Sequence, residues 1–340
     1  MHLNRECRYP NLDNLFAHQD YSLEIVQKLS DIEDCIQSLR NVLSQHEEPE
    51  ICIGPHCDKP RACPLKNHCR KDIPKPSIFN IPRNLKKWEQ FKRGVISTDD
   101  LMMAEFNSEI QKRALQCYQD NHPFFDKKAV SEQLNLWEYP LAYLDFEAID
   151  HAIPRYLGTR PYQHIPFQFS CHTQQTPDAE LEHAEFLWAS PDDPRPAFIH
   201  ELISMVPSKG SIVVYYAPYE STRLKELAED FPEYSVQLND IRNRLVDLMV
   251  VIQKGVYYPK FMGSFSIKKV APAILGEEAS YANLEVGDGI EAMLAFQKLI
   301  KSLDHSLEKT ELENAMRKYC QQDTFLMVKL HHWLMKKYSL

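Results

Sequence analysis

Residues 210–218 read GSIVVYYAP, a run in which Ile212, Val213 and Val214 leave no polar position to face water. A strand with one solvated face alternates polar and apolar residues, so a nearly all-apolar strand must be covered on both faces. The chain passes at once into YESTRLKELAEDF, where Leu224, Leu227, Ala228 and Phe231 share one side of a helix. These two segments ask for a central strand in a sheet with helices packed on it. PLAYLDFEA, QHIPFQFSCHTQ (163–174) and LEHAEFLWA (181–189) read as three earlier strands, and PAFIHELISMV as a helix with Phe198, Leu202, Met205 and Val206 on one face. Everything after residue 240 reads as helices, ending in ENAMRKYCQQDTFLMVKLHHWLMKKY. Three strands, a helix, a strand and then helices predict an α/β fold, a mixed sheet flanked by helices.

Before this lies a different region. YSLEIVQKLSDIEDCIQSLRNVLSQ (21–45) carries Ile25, Leu29, Ile32, Ile36 and Leu39 at helical spacing. A cysteine-rich segment follows, then the proline-marked connector KPSIFNIP, then a mostly helical stretch over 84–137. The expected domains are therefore 1–135, a mostly helical cysteine-containing region with a connector, and 136–340, the α/β domain.

Hydrophobic residues make up 44% of the 340, enough for a sizeable core, and the net charge of −9 argues against coating nucleic acid through bulk positive charge. It leaves room for a local basic groove. The nine glycines form neither GxxxxGK[ST] nor GxGxxG, which disfavours P-loop and dinucleotide chemistry. Apolar runs fall short of the roughly 20 residues of a membrane span, and MHLNRECRYP lacks a signal peptide's apolar region. A cytoplasmic protein with no membrane partner is expected.

The strand run Leu141–Leu144 ends in Asp145, Phe146 and Glu147. Residues two apart on a strand project to one face, so the two acids stand together. Close carboxylates raise each other's pKa unless a cation lies between them. Two readings are open here: a strand end that reaches water, and a seat for a hard divalent ion, which takes carboxylate oxygens, water and phosphate. Tyr319 and Asp323 are four apart on the last helix, and Leu326, Leu330, Trp333 and Leu334 extend nearly the same stripe. Asp323 therefore faces the protein body, where it needs a partner, a core salt bridge or an ion. Glu220 opens the helix after the apolar strand; the helix dipole alone would favour an acid there.

Together, DFE at a first-strand end, an aromatic–acid step opening a helix after a central strand, and Y-x3-D on the last helix resemble the three motifs of the DEDD exonucleases. These are DnaQ-like enzymes of RNase H-like fold, here in the tyrosine subclass, and the resemblance runs over about residues 138–340. IPFQFSCH, HAEFL, DDPR, GSFSIKKVAPAIL and GDGIEAM resemble, more narrowly, a domain-of-unknown-function family found downstream of RecB-type nuclease domains. The resemblance implies an RNase H-like sheet and a 3′→5′ exonuclease that hydrolyses phosphodiester bonds of single-stranded DNA or RNA with two Mg²⁺ or Mn²⁺ ions. It implies that Asp145 ligates both ions, Glu147 binds the nucleophile-side ion, Asp323 completes that site and Tyr319 orients the attacking water. The sequence departs from the pattern twice: Glu220 stands where the second motif ends in Asp, and Tyr216 where it has Asn. The longer glutamate suits a helix set farther back. Without that adjustment the protein is a catalytically weak or inactive nucleic-acid- or protein-binding module. Asp247 is the reserve ligand, with a supporting acid its more ordinary role.

Cys52, Cys57, Cys63 and Cys69 fall within 18 residues, but Cys57-x5-Cys63-x5-Cys69 is not the spacing of common zinc modules. The segment resembles the cysteine stretch that ends the RecB-type nuclease domain in the same family, which implies an iron–sulfur cluster. Zn²⁺, with His56 or His68 as a further ligand, is the alternative, and reduced free thiols the plain one. The basic run RNLKKWEQFKR (83–93) suits phosphate contact and base stacking through Trp88 and Phe91, or a solvated helix with two apolar anchors.

Overall fold

The all-apolar strand lies inside a five-stranded sheet. The computed structural model describes residues 1–282, 284–302 and 306–338, the side chain of Ser30 excepted. The strands are β1 (Leu141–Asp150), β2 (His164–Gln174), β3 (Leu181–Leu187), β4 (Ile212–Val214) and β5 (Leu245–Asp247), in the order β3-β2-β1-β4-β5. β1, β2 and β3 form an antiparallel meander, and β4 and β5 run parallel to β1. β5 corrects the expectation of helices alone after residue 240. Three residues are too few for a period-2 pattern to show; the strand pairs in parallel with β4 and forms that edge of the sheet.

The main helices are α1 (Ser22–Leu43), α2 (Glu109–Gln119), α3 (Lys127–Leu134), α4 (Arg195–Met205), α5 (Pro218–Asp230), α6 (Ser235–Asn243), α7 (Leu248–Gly255), α8 (Ile267–Leu275), α9 (Gly289–Leu299) and α10 (Leu307–Tyr338). Alternation along β1 assigns the layers. Ala142, Leu144 and Phe146 pack with Phe198 and Leu202 of α4, Leu224 and Leu227 of α5 and Leu238 of α6. Leu141, Tyr143 and Ile149 enter the opposite core with Phe296 of α9 and Met327 and Leu330 of α10. Asp145 and Glu147 share the parity of Tyr143, so they face α10. A β-bulge between Glu147 and Ala148 skips Phe167 and sets Ala148 against Pro166, which has no N–H to give a ladder. Bulges bend a strand and re-aim its side chains, here directly after the second acid.

α10 is fixed to the sheet by polar contacts as well as packing. Gln168 Nε2 of β2 donates to the Met316 carbonyl at 2.9 Å, and Arg317 pairs with Glu185 of β3 at 2.9 Å. On the other layer, buried Arg195 bridges Asp193 and Asp230 and donates to the Leu157 carbonyl, tying the start of α4 to the end of α5.

The expected division at residue 135 is not a break in packing. Ile78, Ile81, Leu101, Phe106, Leu115, Val130 and Leu134 belong to the same core as Tyr143 and α10. Phe124–Phe125 pairs with Val256–Tyr257, and the Tyr118 and Tyr257 hydroxyls meet at 2.7 Å. α1 forms as its periodicity predicts, but Ile25, Leu29, Ile32, Ile36 and Leu39 are all exposed. No helix among the described residues is long and apolar enough to cross a membrane.

Gly210 sets the approach of β4 to β1. Its φ is +84°, and an added Cβ would lie 2.0 Å from the Pro140 carbonyl oxygen and 2.8 Å from its nitrogen. Both obstacles are backbone, so neither can turn aside. Gly210→Ala is expected to cost upwards of about 2 kcal/mol, through the left-handed strain and the overlap together. A denaturant titration unchanged by the substitution would refute this.

Candidate metal centre

β1 delivers Asp145 and Glu147, and α10 delivers Asp323. Carboxylate oxygens of the three lie within 4.8 Å of one another, although Asp323 is far along the chain. Tyr319, one turn before Asp323, lines the same cavity of about 150 Å³, with Tyr215, Ile267, Lys268 and Met327. Three of the expected ligands and the expected tyrosine are thus brought together.

Glu220 stands close to this group but outside it. α5 begins at the carboxyl end of β4, next to β1, which brings its first turn to the sheet edge where Asp145 emerges. Glu220 is 1% exposed, and its Oε2 has no hydrogen-bond partner among the described residues. Asp247 explains how this turn is held. One carboxylate oxygen accepts from the Tyr216 N–H at 3.1 Å and the other from the Ala217 N–H at 2.9 Å, while Asp247 also caps α7 through the Met249 N–H at 2.9 Å. Asp247 is therefore not a ligand but the clamp on the loop before Glu220. That loop carries Tyr216 at φ +78°, strained for a non-glycine residue.

Electrostatics match the geometry. Burial, then the neighbouring Asp323, push Glu147 up to about 8, while Lys268 opposes the rise. Asp323 rises to about 6 through burial, held back by hydrogen bonds from Tyr281 and Tyr319 and by Lys268. Asp145 is pushed well above the usual carboxylate range by burial and then by Asp323, Glu147 and Glu220. Glu220 is likewise raised, by burial first and also by Asp247. Buried acids crowded without a compensating cation behave this way. The mutually repelling triad and the orphaned Glu220 oxygen both fit divalent cations, whose hard charge takes carboxylate oxygens.

Residues 142–266 match the family described as Domain of unknown function (DUF2779).

The chain is also 28% identical over 142 residues to uncharacterized protein UU173 of Ureaplasma parvum serovar 3. That alignment covers 37% of this chain and 21% of the relative, so only about a fifth of the relative's length is represented. No solved structure matches significantly. The domain match agrees with the narrower resemblance only in pointing to a family without assigned function, and carries no activity with it.

Sequence reasoning missed Lys268 and Tyr281. Lys268, in the first turn of α8, donates to the Gly287 carbonyl at 2.6 Å and to the Tyr319 hydroxyl at 3.2 Å. It also lies over the Tyr281 and Tyr319 rings. The Tyr281 hydroxyl donates to Asp323 Oδ1. Nothing periodic links either residue to the acids; the signal was only their place in the stretches around GSFSIKKVAPAIL and GDGIEAM.

The cysteine expectation fares differently. Among the described residues the Asp145–Glu147–Asp323 group is the one gathering of three or more potential ligands, so Cys52, Cys57, Cys63 and Cys69 do not surround a common point. Cys57 is buried, Cys63 half-buried, Cys52 and Cys69 exposed. Asp58 organises the segment instead, pairing with Lys66 at 2.6 Å and Lys87 at 2.7 Å. His68 is engaged with Glu48 at 2.8 Å.

Proposed function

We propose that the chain is a divalent-metal-dependent 3′→5′ exonuclease that hydrolyses phosphodiester bonds of single-stranded DNA or RNA. The observation that carries this reading is the convergence of Asp145, Glu147 and Asp323 in one cavity with the Tyr319 hydroxyl at its wall. The strand order, with β1 to β3 antiparallel and β4 and β5 parallel to β1, supports an RNase H-like sheet. Asp145, Glu147 and Asp323 would hold one Mg²⁺ or Mn²⁺, and Asp145 with Glu220 a second. When bound, such a pair stabilises both the attacking and the leaving oxygen of an in-line displacement.

Tyr319 orients rather than abstracts. Burial and the neighbouring acids raise its phenol well above the ordinary value, so it stays protonated. Its oxygen accepts from Lys268 at 3.2 Å, which fixes the hydroxyl at the cavity wall that Asp323 also lines. Lys268 thereby sets the hydroxyl's direction and adds positive charge where a phosphate would enter.

Glu220 favours a second reading, a strand- or protein-binding module without a productive second ion, because it lies outside the gathered triad. Calorimetric titration with Mn²⁺ separates the two: the exonuclease expects two ions per chain, the module one or none. Tyr319→Phe should keep the ions and slow hydrolysis of a labelled single strand by about 10- to 100-fold, the scale of one positioning contact. Glu220→Asp should lower activity if the backbone has adapted to the longer acid. Activation by that change would instead mark the natural residue as a lesion.

A further inference from the structure

Four cavities share walls in series. The acidic cavity shares Lys268 with a neighbour of about 410 Å³ lined by Lys260 and Lys269. That cavity shares Met262 with one of about 560 Å³, lined by Lys59, Arg83, Lys87 and Trp88. Arg83, Gly263 and Ser264 carry the wall into the last, of about 550 Å³, which ends at Tyr216. Taken in series, these adjoining cavities mark out a path, called here the trough, from the carboxylates to residues before 112.

Two independent observations mark the trough as built. Its floor collects positive charge in a chain of net charge −9. Lys59, Arg83, Lys260 and Lys269 make no ion pair among the described residues; beyond the acidic cavity the acids lining the trough are Asp58, already matched by Lys66 and Lys87, and Glu277. Its backbone is also strained. Of five non-glycine residues at positive φ, three line the trough: Arg83 (50°), Tyr216 (78°) and Met262 (50°). Beside them Gly263, at φ +83°, approaches Asn80 so closely that a Cβ would fall 2.4 Å from its carbonyl oxygen. Strain of this kind persists where surrounding structure enforces it, and it concentrates at ligand sites.

We propose that this trough seats a single-stranded polynucleotide. Phosphates lie on Lys269, Lys260 and Arg83, a base rests against Trp88, and the terminal phosphodiester passes Lys268 into the acidic cavity. Spaced cations beside an indole suit a chain of phosphates carrying flat rings. Only the direction of the strand rests on the exonuclease reading.

The test measures binding of fluorescein-labelled dT12 by anisotropy in EDTA, across a salt series. Arg83→Glu with Lys260→Glu and Lys269→Glu is expected to weaken binding at least tenfold. Losing three phosphate contacts should also make the log–log salt slope shallower by about 2. The neutral variant, Lys260→Gln with Lys269→Gln, should weaken it less and in the same direction. A control with Lys28→Glu, Lys128→Glu and Lys225→Glu makes the same change in charge away from the trough and should retain most of the affinity. All these side chains are exposed or half-buried at the surface, and melting temperatures are compared alongside. Equal affinity of wild type and charge-reversed variant, or an equal loss in the control, overturns the proposal. Because EDTA removes hydrolysis from the measurement, the two readings fail separately. Trough-dependent binding with no cleavage in Mn²⁺ retracts the exonuclease alone. Cleavage by the wild type, with trough variants binding as well as it does, retracts the trough alone.

Discussion

Asp145→Asn is expected to abolish divalent-ion-dependent hydrolysis of single strands and, at the same time, to make the metal-free protein more stable. The two effects share a cause. Asp145 is half-buried beside Asp323, Glu147 and Glu220, and each repels its charge. Asparagine keeps the shape and removes the charge, which relieves that repulsion in the absence of metal. With metal present the same charge is what both ions would need, so the rate should fall by about 10³ or more, the scale of losing a preorganised electrostatic group. Each 1 kcal/mol of relief should appear as a melting temperature higher by about 2 °C in a chain of this size. The rise in melting temperature that Mn²⁺ gives the wild type should shrink or vanish. Residual cleavage equal to wild type would locate the cutting elsewhere. A lower melting temperature in EDTA would mean that Asp145 is structural instead.

Stability of the metal-free protein should fall as pH rises from about 5 to about 8.5, opposite to the trend of ordinary ion-paired carboxylates. Glu147 is raised from 4.5 to about 8 and Asp323 from 3.8 to about 6. A raised acid binds its proton more tightly folded than unfolded. Its contribution is therefore full below the unfolded pKa and is lost as pH passes the folded one. Between pH 6 and 8 the Glu147 slope can approach about 1.4 kcal/mol per pH unit, the limit for one extra proton. Divalent ions compete with those protons, so Mn²⁺ affinity should climb over the same window and the ion-induced shift in melting temperature should be largest near pH 8. Melting curves in EDTA and in Mn²⁺ at half-unit steps check this, with Glu147→Gln as the reference that flattens the metal-free slope. An ion-induced shift equal at pH 5.5 and 8.5 would sink the assignment of these carboxylates to the metal.

What the sequence made legible follows short-range geometry. Period two set Asp145 beside Glu147 and sent both toward one layer, and period 3.6 set Tyr319 over Asp323. An all-apolar Ile212–Val214 could be central and nothing else. Long-range placement was out of reach. Lys268 and Tyr281 meet Asp323 only because α8 and the segment after it fold over α10, and no spacing encodes that. Asp247 read as a reserve ligand with a supporting acid as its more ordinary role, and the supporting role is the one it takes. Its actual partners, the Tyr216 and Ala217 amides, are invisible until β5 lies beside β4. The cysteines misled for the converse reason: crowding along the chain is not crowding in space, and Asp58 with two lysines holds that segment. The stripe on α1 was a correct period with no covering partner among the described residues.

The last acid of the centre also has a consequence for synthesis. Asp145 and Glu147 leave the ribosome early, on a strand that can pair at once with β2 and β3, whereas Asp323 sits on α10 and must travel back across the whole domain to meet them. Contacts of such long sequence separation form late, because loop closure is paid for before they reward it. A nascent chain thus carries an exposed pair of acids on the α10 face of its sheet and no competent cleft. The three carboxylates become one group in a single step, when α10 docks, so a half-made copy holds no assembled centre.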